Sequence, residues 1–136
     1  MSQERFEIVR RVYDAVARRD VTTLLALYDS EVEWDVSRHP LRDLLGRTVY
    51  RGHEGMDNFG REWDDAWEKV EYGYQELMDE GEHVITVETM RGRGRASGTE
   101  VDMTHYVLFT IRDGKIVRQA FFDSLDEARE AAGLRE

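Results

Sequence analysis

A histidine on the apolar face of a strand is the residue of this sequence that most suggests chemistry. His105 lies within residues 101–111, where side chains alternate with the period of two that is typical of a β-strand. The other residues on its face are Val101, Met103, Val107, Phe109 and Ile111. If this face lines a cavity, a titratable ring in apolar surroundings is a candidate for acid–base catalysis. The alternative is a core histidine with one buried hydrogen-bond partner.

The strand that follows carries the next candidates. Asp113-Gly114 is a strong signal for a two-residue hairpin, so residues 116–123 should pair antiparallel with the strand of His105. Alternation along this strand puts Val117, Gln119, Phe121 and Asp123 on one face. Asp123 could be a functional carboxylate, or a strand-end residue that helps to form a helix cap at Ser124.

Aromatic side chains could form the walls of a ligand cavity. Trp34 lies on a short predicted strand, and Phe59, Trp63 and Trp67 fall on the apolar stripe of a predicted helix. Such rings would suit a flat aromatic or polycyclic ligand. The alternative is that they belong to the core, as most tryptophans on a helix stripe do.

No metal or cofactor site is predicted. His53 and Asp57 have i,i+4 spacing, but a helix start beside Gly52 explains them better, and a third ligand is missing. His39 and His83 are expected in exposed polar segments. The sequence has no phosphate-binding loop, dinucleotide fingerprint, nucleophile elbow or HExxH motif, which sets aside nucleotide-dependent and hydrolytic-triad chemistry.

Composition argues against several classes of partner. The chain has 136 residues, a formal net charge of −10 and no cysteine. Binding to nucleic acid or to anionic membranes needs a basic surface, so neither is expected. The run from Arg91 to Arg95 is a local exception, which a solvated hairpin tip explains better than RNA binding. Residues 1–5 lack a signal-peptide pattern and no apolar run approaches the ~20 residues that a bilayer requires, so the expected location is cytoplasmic.

The order of predicted elements indicates one α+β domain over residues 1–136. Helices are predicted over residues 3–19, 20–27, 52–67 and 124–133. Strands are predicted over 32–36, from 70 to the turn at 80–81, and over 84–90, 101–111 and 116–123, with 37–50 irregular. The last four strands should form an antiparallel meander that packs its apolar face on the preceding helices. The result would be a cone with a ligand site at its mouth.

Five motifs along the chain carry a resemblance to a known superfamily. They are residues 13–20 (YDAVARRD), 24–28 with 32–34 (LLALY, VEW), 50–55 (YRGHEG), 112–118 (RDGKIVR) and 125–134 (LDEAREAAGL). In these motifs the chain resembles the nuclear transport factor 2-like superfamily, in particular its SnoaL-like and ketosteroid isomerase-like members. The resemblance implies a single SnoaL-like domain. Its fold would be a cone-shaped, mostly antiparallel sheet that wraps around N-terminal helices. It says little about function, because the superfamily includes isomerases, cyclases, hydrolases and non-catalytic proteins.

The resemblance does not extend to the catalytic groups of ketosteroid isomerases. Those enzymes use an aspartate base, with a tyrosine and a neutral aspartic acid that donate to the oxyanion. Matching this chain to them position by position puts Val12, Val36 and Val107 at the three places. Valine neither accepts nor donates a proton, so isomerisation by that apparatus is not expected. A one-residue slip would bring Asp35 to the base position, but it would turn the apolar residues of its strand outward.

SnoaL-like polyketide cyclases suggest a different pair of groups. In that family an aspartate on the last strand is the base, and a histidine on the preceding strand lies near the substrate. Asp123 and His105 are similar in position, and in the resembling folds the face of Gln119 points into the cavity. The resemblance therefore implies that Asp123 abstracts a proton α to a carbonyl while His105 or Gln119 stabilises the enolate.

Two functions remain open from the sequence. One is a cofactor-independent enzyme of isomerase or cyclase type, with His105 and Asp123 catalytic and a small hydrophobic carbonyl compound as substrate. Its ligand-binding residues would be Trp34, Phe59, Trp63, Trp67, Gln119 and Phe121. The other is a module that binds a hydrophobic ligand or partner without turnover.

A homodimer is also expected. The outer face of the predicted sheet is partly apolar, and such a face usually needs a cover. The residues that suggest this are Tyr106, Leu108, Ile116, Ala120 and Phe122.

Overall fold

The computed structural model describes residues 2–133, with side chains from residue 4 onward. The helices are α1 (Ser2–Arg18), α2 (Val21–Ala26), α3 (Gly52–Ala66) and α4 (Leu125–Ala131), with a short 3-10 turn at Arg42–Leu44. The strands are β1 (Tyr28–Asp35), β2 (Val49–Arg51), β3 (Trp67–Glu80), β4 (His83–Gly94), β5 (Glu100–Arg112) and β6 (Lys115–Phe122). Within this part of the chain, a helix with the length and apolar character needed to cross a membrane is not found.

The strands form a single open sheet in the order β2-β1-β6-β5-β4-β3. Strands β3 to β6 are the expected antiparallel meander, and β1 joins β6 in parallel. The predicted mostly antiparallel α+β architecture is confirmed. Strand β2 lies in a segment that was predicted to be irregular; it is only three residues long and pairs with β1 at the sheet edge.

The inner sheet face packs on the N-terminal helices to form the main core. Val9 of α1 and Met56 of α3 meet the apolar residues of the strands in one buried cluster. Val12, Val36 and Val107, the valines that the position-by-position match puts at the catalytic places of ketosteroid isomerases, are all part of this cluster and are at most 4% exposed. Burial of apolar side chains is the main source of stability for such a layer.

A bulge in β6 changes the orientation that was predicted for Ile116. Thr110 pairs with Arg118, but the next residue, Ile111, pairs with Ile116, so β6 has one extra residue at this point. An extra residue in one strand shifts the alternation of side chains beyond it. Ile116 therefore belongs to the inner core, and its predicted place on the outer face is wrong.

Helix α4 covers the apolar part of the outer sheet face. Leu108, Ala120 and Phe122 are buried there together with Ala128 of α4. The helix begins at the predicted cap, because the Ser124 hydroxyl accepts a hydrogen bond from the Glu127 backbone N–H at 3.2 Å. The homodimer stays a prediction, and this covered face no longer supplies the reason for it.

The arginines at the β4–β5 tip have acidic or backbone partners within the chain. Arg91 and Arg93 form cross-strand ion pairs with Asp102 at 3.3 Å and Glu100 at 3.0 Å. Arg95 donates to backbone carbonyls at the C-terminal end of α3, where helix carbonyls lack partners of their own. This is the arrangement of a solvated hairpin tip.

Candidate functional site

A cavity of about 710 Å³ lies between α1, α3 and the inner face of the sheet. Aromatic side chains form much of its wall, among them Tyr13, Tyr28, Trp34, Phe59, Trp63 and Phe121. Tyr72 and Tyr74 of the edge strand β3 lie at its mouth and are partly exposed. The Tyr74 ring stacks on Tyr13 with centroids 3.9 Å apart, which joins α1 to the edge strand.

The central ionisable group of the cavity is Glu88. It lines the cavity from β4, on the face that also carries Val84, Thr86 and Met90. Glu88 stands directly opposite His105 on β5, and its Oε1 lies 2.8 Å from His105 Nε2. The carboxylate keeps 12% exposure and the imidazole only 1%, so the histidine lies behind the acid.

The contact between Glu88 and His105 has the distance of an ion pair without the alignment of a hydrogen bond. Neither ring nitrogen of His105 has a well-aligned hydrogen-bond partner. His105 faces inward, because its ring packs beside His39 and Phe121, but the ring is not among the residues that line the cavity. It can act on a ligand only through its neighbours.

Two tyrosines bring hydroxyl groups to the same space. The Tyr13 hydroxyl lies 2.9 Å from Thr86 Oγ1, and the Tyr28 hydroxyl donates to Gln119 Oε1 at 2.5 Å. Burial, followed by the negative charge of Glu88, raises the pKa of both phenols well above its ordinary value. Both therefore stay protonated, and Tyr28 fixes the Gln119 amide so that its NH₂ group is left as a donor.

His39 completes the polar set, from the loop after β1. Its Nδ1 accepts the Leu41 backbone N–H at 2.9 Å, so the neutral ring carries its proton on Nε2. Burial, aided by His105 and Arg42, lowers the pKa of His39 to about 3. The ring packs 5.1 Å from the His105 ring and 5.0 Å from that of Phe121. It is 2% exposed, so the predicted exposed position of His39 is wrong.

The buried neutral His39 predicts a specific loss of stability in acid. Its pKa lies near 3 in the folded chain and near 6.5 when unfolded, so between these values only the unfolded chain takes up the proton. His39 therefore stabilises the fold fully above pH 6.5, and this contribution falls by ~1.4 kcal/mol per pH unit as the pH decreases toward 3. In the variant His39→Asn the amide oxygen can replace Nδ1 as the acceptor. Between pH 6 and 4 the free energy of unfolding of this variant should fall by about 2 kcal/mol less than that of the wild type.

Urea denaturation at pH 4, 5, 6 and 7.5 measures this difference in the free energy of unfolding. Between pH 7 and 8 the two proteins should show parallel pH dependence, since both carry an uncharged side chain. If the free energy of unfolding fell equally steeply with decreasing pH in both proteins below pH 6.5, His39 would not be the buried neutral group described here.

The structure brings five of the six predicted ligand-binding residues to the cavity. They are Trp34, Phe59, Trp63, Gln119 and Phe121. Trp67 is not among the lining residues, so its predicted place there is wrong. It is the first residue of β3 rather than part of α3, and it packs with Met90 in a separate cluster.

Asp123 is not at the cavity, and the prediction that it faces His105 there is wrong. Strand β6 ends at Phe122, and the chain then turns into the cap of α4. Because the alternation of a strand holds only while its pairing continues, Asp123 does not continue the face of Gln119 and Phe121. Its side chain is exposed.

Asp35 also points away from the cavity. Its carboxylate accepts hydrogen bonds from Ser37 and from Arg118, the latter at 2.8 Å. Burial acts to raise the pKa of Asp35, but these hydrogen bonds outweigh it and the net pKa is lowered. The neighbouring Trp34 lines the cavity instead.

Sequence reasoning missed Glu88, although a signal for it was present. An acidic residue on the apolar face of a strand is unusual, and pairing β4 with β5 through the glycine-bearing tip places Glu88 opposite His105. His39 and Tyr28 had no comparable signal, because their positions depend on a loop and on a parallel strand pair. Within residues 4–133, no group of three or more potential metal-binding side chains is found.

Comparison with known proteins first defines the class of protein to which this fold belongs. The fold is that of the nuclear transport factor 2-like proteins: one such protein from Burkholderia pseudomallei superimposes with a TM-score of 0.77, at 22% identity over 96% of this chain and 97% of that one. The family model of the SnoaL-like domain matches residues 9–119. The chain therefore belongs to the SnoaL-like domain family.

Two further structures share the fold. A protein from Jannaschia sp. CCS1, described as a SnoaL-like polyketide cyclase, has a TM-score of 0.76 at 17% identity and covers 99% of this chain and 95% of its own. TerC, co-crystallised with polyporic acid, has a TM-score of 0.78 at 20% identity and covers 93% and 96%. Comparison with curated protein sequences yields no significant match.

Proposed function

We propose that this protein is a cofactor-independent enzyme that removes a proton α to the carbonyl group of a small hydrophobic compound, with Glu88 as the base. The observation that carries the proposal is the placement of Glu88. A carboxylate with 12% exposure faces a largely aromatic cavity and has an imidazole 2.8 Å behind it. Buried carboxylates in clefts are typical general bases.

The proposed reaction starts with transfer of the α-proton to a Glu88 oxygen. The electron pair of the broken C–H bond forms a C=C bond, and the carbonyl oxygen becomes an enolate. Its charge would be stabilised by donors of the cavity residues that have no hydrogen-bond partner, among them the Gln119 amide, His39 Nε2 and Trp34 Nε1. Return of the proton from Glu88 to another carbon of the conjugated enolate completes an isomerisation. In a cyclisation the enolate carbon instead attacks a second carbonyl of the same molecule, and the alkoxide that forms there takes the proton back from Glu88.

The structural neighbours support a reaction on aromatic or polyketide-like compounds. One is described as a polyketide cyclase and another was crystallised with polyporic acid. The aromatic walls and the size of the cavity agree with a ligand of that kind, since most small-molecule sites measure ~300–1,000 Å³ and are mainly apolar.

Deuterium exchange tests the proposal even while the product is unidentified. The protein is incubated in D₂O with a panel of aryl ketones, cyclohexenones and 1,3-diketones, and deuterium uptake at the α-carbon is followed by NMR. We expect exchange above the buffer rate for at least one compound. Asp123→Asn should exchange as fast as the wild type, because Asp123 is exposed and away from the cavity. Absence of enzyme-dependent exchange across the panel would refute the enzymatic proposal.

The second candidate is a binding module without turnover. It is favoured by the internal pairing of cavity hydroxyls, Tyr13 with Thr86 and Tyr28 with Gln119, which leaves few groups free for chemistry. Binding of panel compounds in calorimetry, together with no deuterium uptake, would select this candidate.

A further inference from the structure

The charged groups around the cavity are mostly acidic. Four carboxylates lie at its rim, those of Asp14, Asp20, Asp64 and Glu71, and Glu88 lies inside. Arg18 lies 3.0 Å from Asp14 and 3.9 Å from Asp20, and its single charge offsets one of the four. The remaining excess of negative charge agrees with the formal net charge of −10 of the whole chain.

The cationic groups at the cavity do not offset this excess. Of the described residues, Arg10 and Arg19 are the arginines that line it, and both are exposed on α1 or just after it. Arg10 lies 3.3 Å from Glu7 and 3.2 Å from Glu76, so its charge is already paired. His39 is neutral, and His105 is behind Glu88 rather than at the surface of the cavity. Arg19 is the one lining cation without an acidic partner among the described residues, so an anionic ligand would meet a single exposed arginine against the excess of carboxylates.

Aromatic side chains line the same space. Trp34 lies 5.0 Å from Phe59, and Phe59 stacks on Trp63 with centroids 5.7 Å apart. The electron-rich faces of such rings attract alkylated ammonium groups, and the attraction increases when water is excluded. A buried carboxylate with aromatic walls is thus a suitable environment for an organic cation.

We propose that the cavity selects carbonyl compounds that carry an alkylated ammonium group, and that it rejects those that carry a carboxylate. The ammonium would lie against the aromatic walls within the field of Glu88. The carbonyl part of this inference rests on the proposed function, and the charge selection does not. A cationic substituent also makes a nearby C–H bond more acidic, which would assist proton removal.

Three ligands that differ mainly in charge test the selection. They are 4-acetyl-N,N,N-trimethylanilinium, its neutral isostere 4-tert-butylacetophenone and the anion 4-acetylbenzoate. Dissociation constants are measured by calorimetry at low and physiological salt. We expect the cation to bind at least ~10-fold more tightly than the neutral ketone, and the anion at least ~10-fold more weakly than it.

Two variants locate the origin of the preference. Glu88→Gln should lower the ratio of cation to neutral affinity several-fold. Glu130→Gln, at an exposed position of α4, makes the same change in net charge and should leave the ratio unchanged. Phe59→Leu provides a second probe if Glu88→Gln does not fold. It should weaken binding of the cation more than binding of the neutral ketone.

Each result of this experiment has one meaning. Cation binding that is absent at millimolar concentration, or no tighter than neutral binding, overturns the inference, as does a preference for the anion. Selective cation binding with no deuterium uptake from any ketone supports the inference and refutes the enzymatic proposal. Deuterium uptake without charge selection supports the enzymatic proposal and refutes the inference.

Discussion

Replacing Glu88 with glutamine is expected to lower the rate of α-proton exchange by about 10²–10⁴-fold, the usual contribution of a general base. Glutamine keeps the shape of the side chain and can still contact His105, but it cannot accept the proton. The loss should appear in kcat, because the cavity walls that bind the substrate are unchanged. NMR rates in D₂O, measured at saturating substrate, give this value directly.

Two companion variants make the result specific. Glu88→Asp keeps the carboxylate but withdraws it from the cavity by one methylene group, so it should recover part of the lost rate. Asp123→Asn should retain the wild-type rate. Full activity of Glu88→Gln together with a large loss in Asp123→Asn would show that the base is the residue suggested by the family resemblance, and that Glu88 is only structural.

Replacing His105 with leucine is expected to lower the free energy of unfolding by about 2–3 kcal/mol. The reason is that Glu88 would lose its partner while remaining largely withdrawn from water, and breaking a buried pair from one side typically costs ~3–5 kcal/mol. We expect the lower part of that range, because Glu88 keeps 12% exposure toward the cavity. Leucine fills most of the space of the imidazole, which limits the effect of a void.

A double-mutant cycle distinguishes this effect from simple repacking. The double variant with Glu88→Leu and His105→Leu removes both polar partners, and an apolar pair in a buried position is often as stable as the polar pair it replaces. Urea denaturation of the four proteins at pH 7 should therefore show that the second substitution restores most of the stability lost in the first. Additive losses would mean that Glu88 and His105 do not interact.

The sequence predicted the orientation of side chains well wherever strand pairing is regular. His105, Gln119 and Phe121 lie on the inner face because their strands alternate without interruption around them. Ile116 and Asp123 were assigned by the same rule and are wrong for local reasons. The bulge beside Ile111 reverses the side-chain orientation of Ile116. The end of β6 removes the strand pairing that would orient Asp123.

The candidate site itself was only half predictable. Its histidine could be found from one strand, but its carboxylate depends on which residue of β4 stands opposite, and that register is set by the tip between the strands. His39 depends on the course of a loop whose residues show no periodicity. A polar loop is normally exposed, and packing against Trp63 and Phe121 overrides that preference here.

Helix α4 has a practical consequence for work in dilute solution. Because residues of the same polypeptide close the greasy reverse side of the sheet, dilution does not uncover it. Measurements at nanomolar protein should then be free of aggregation through that side of the sheet.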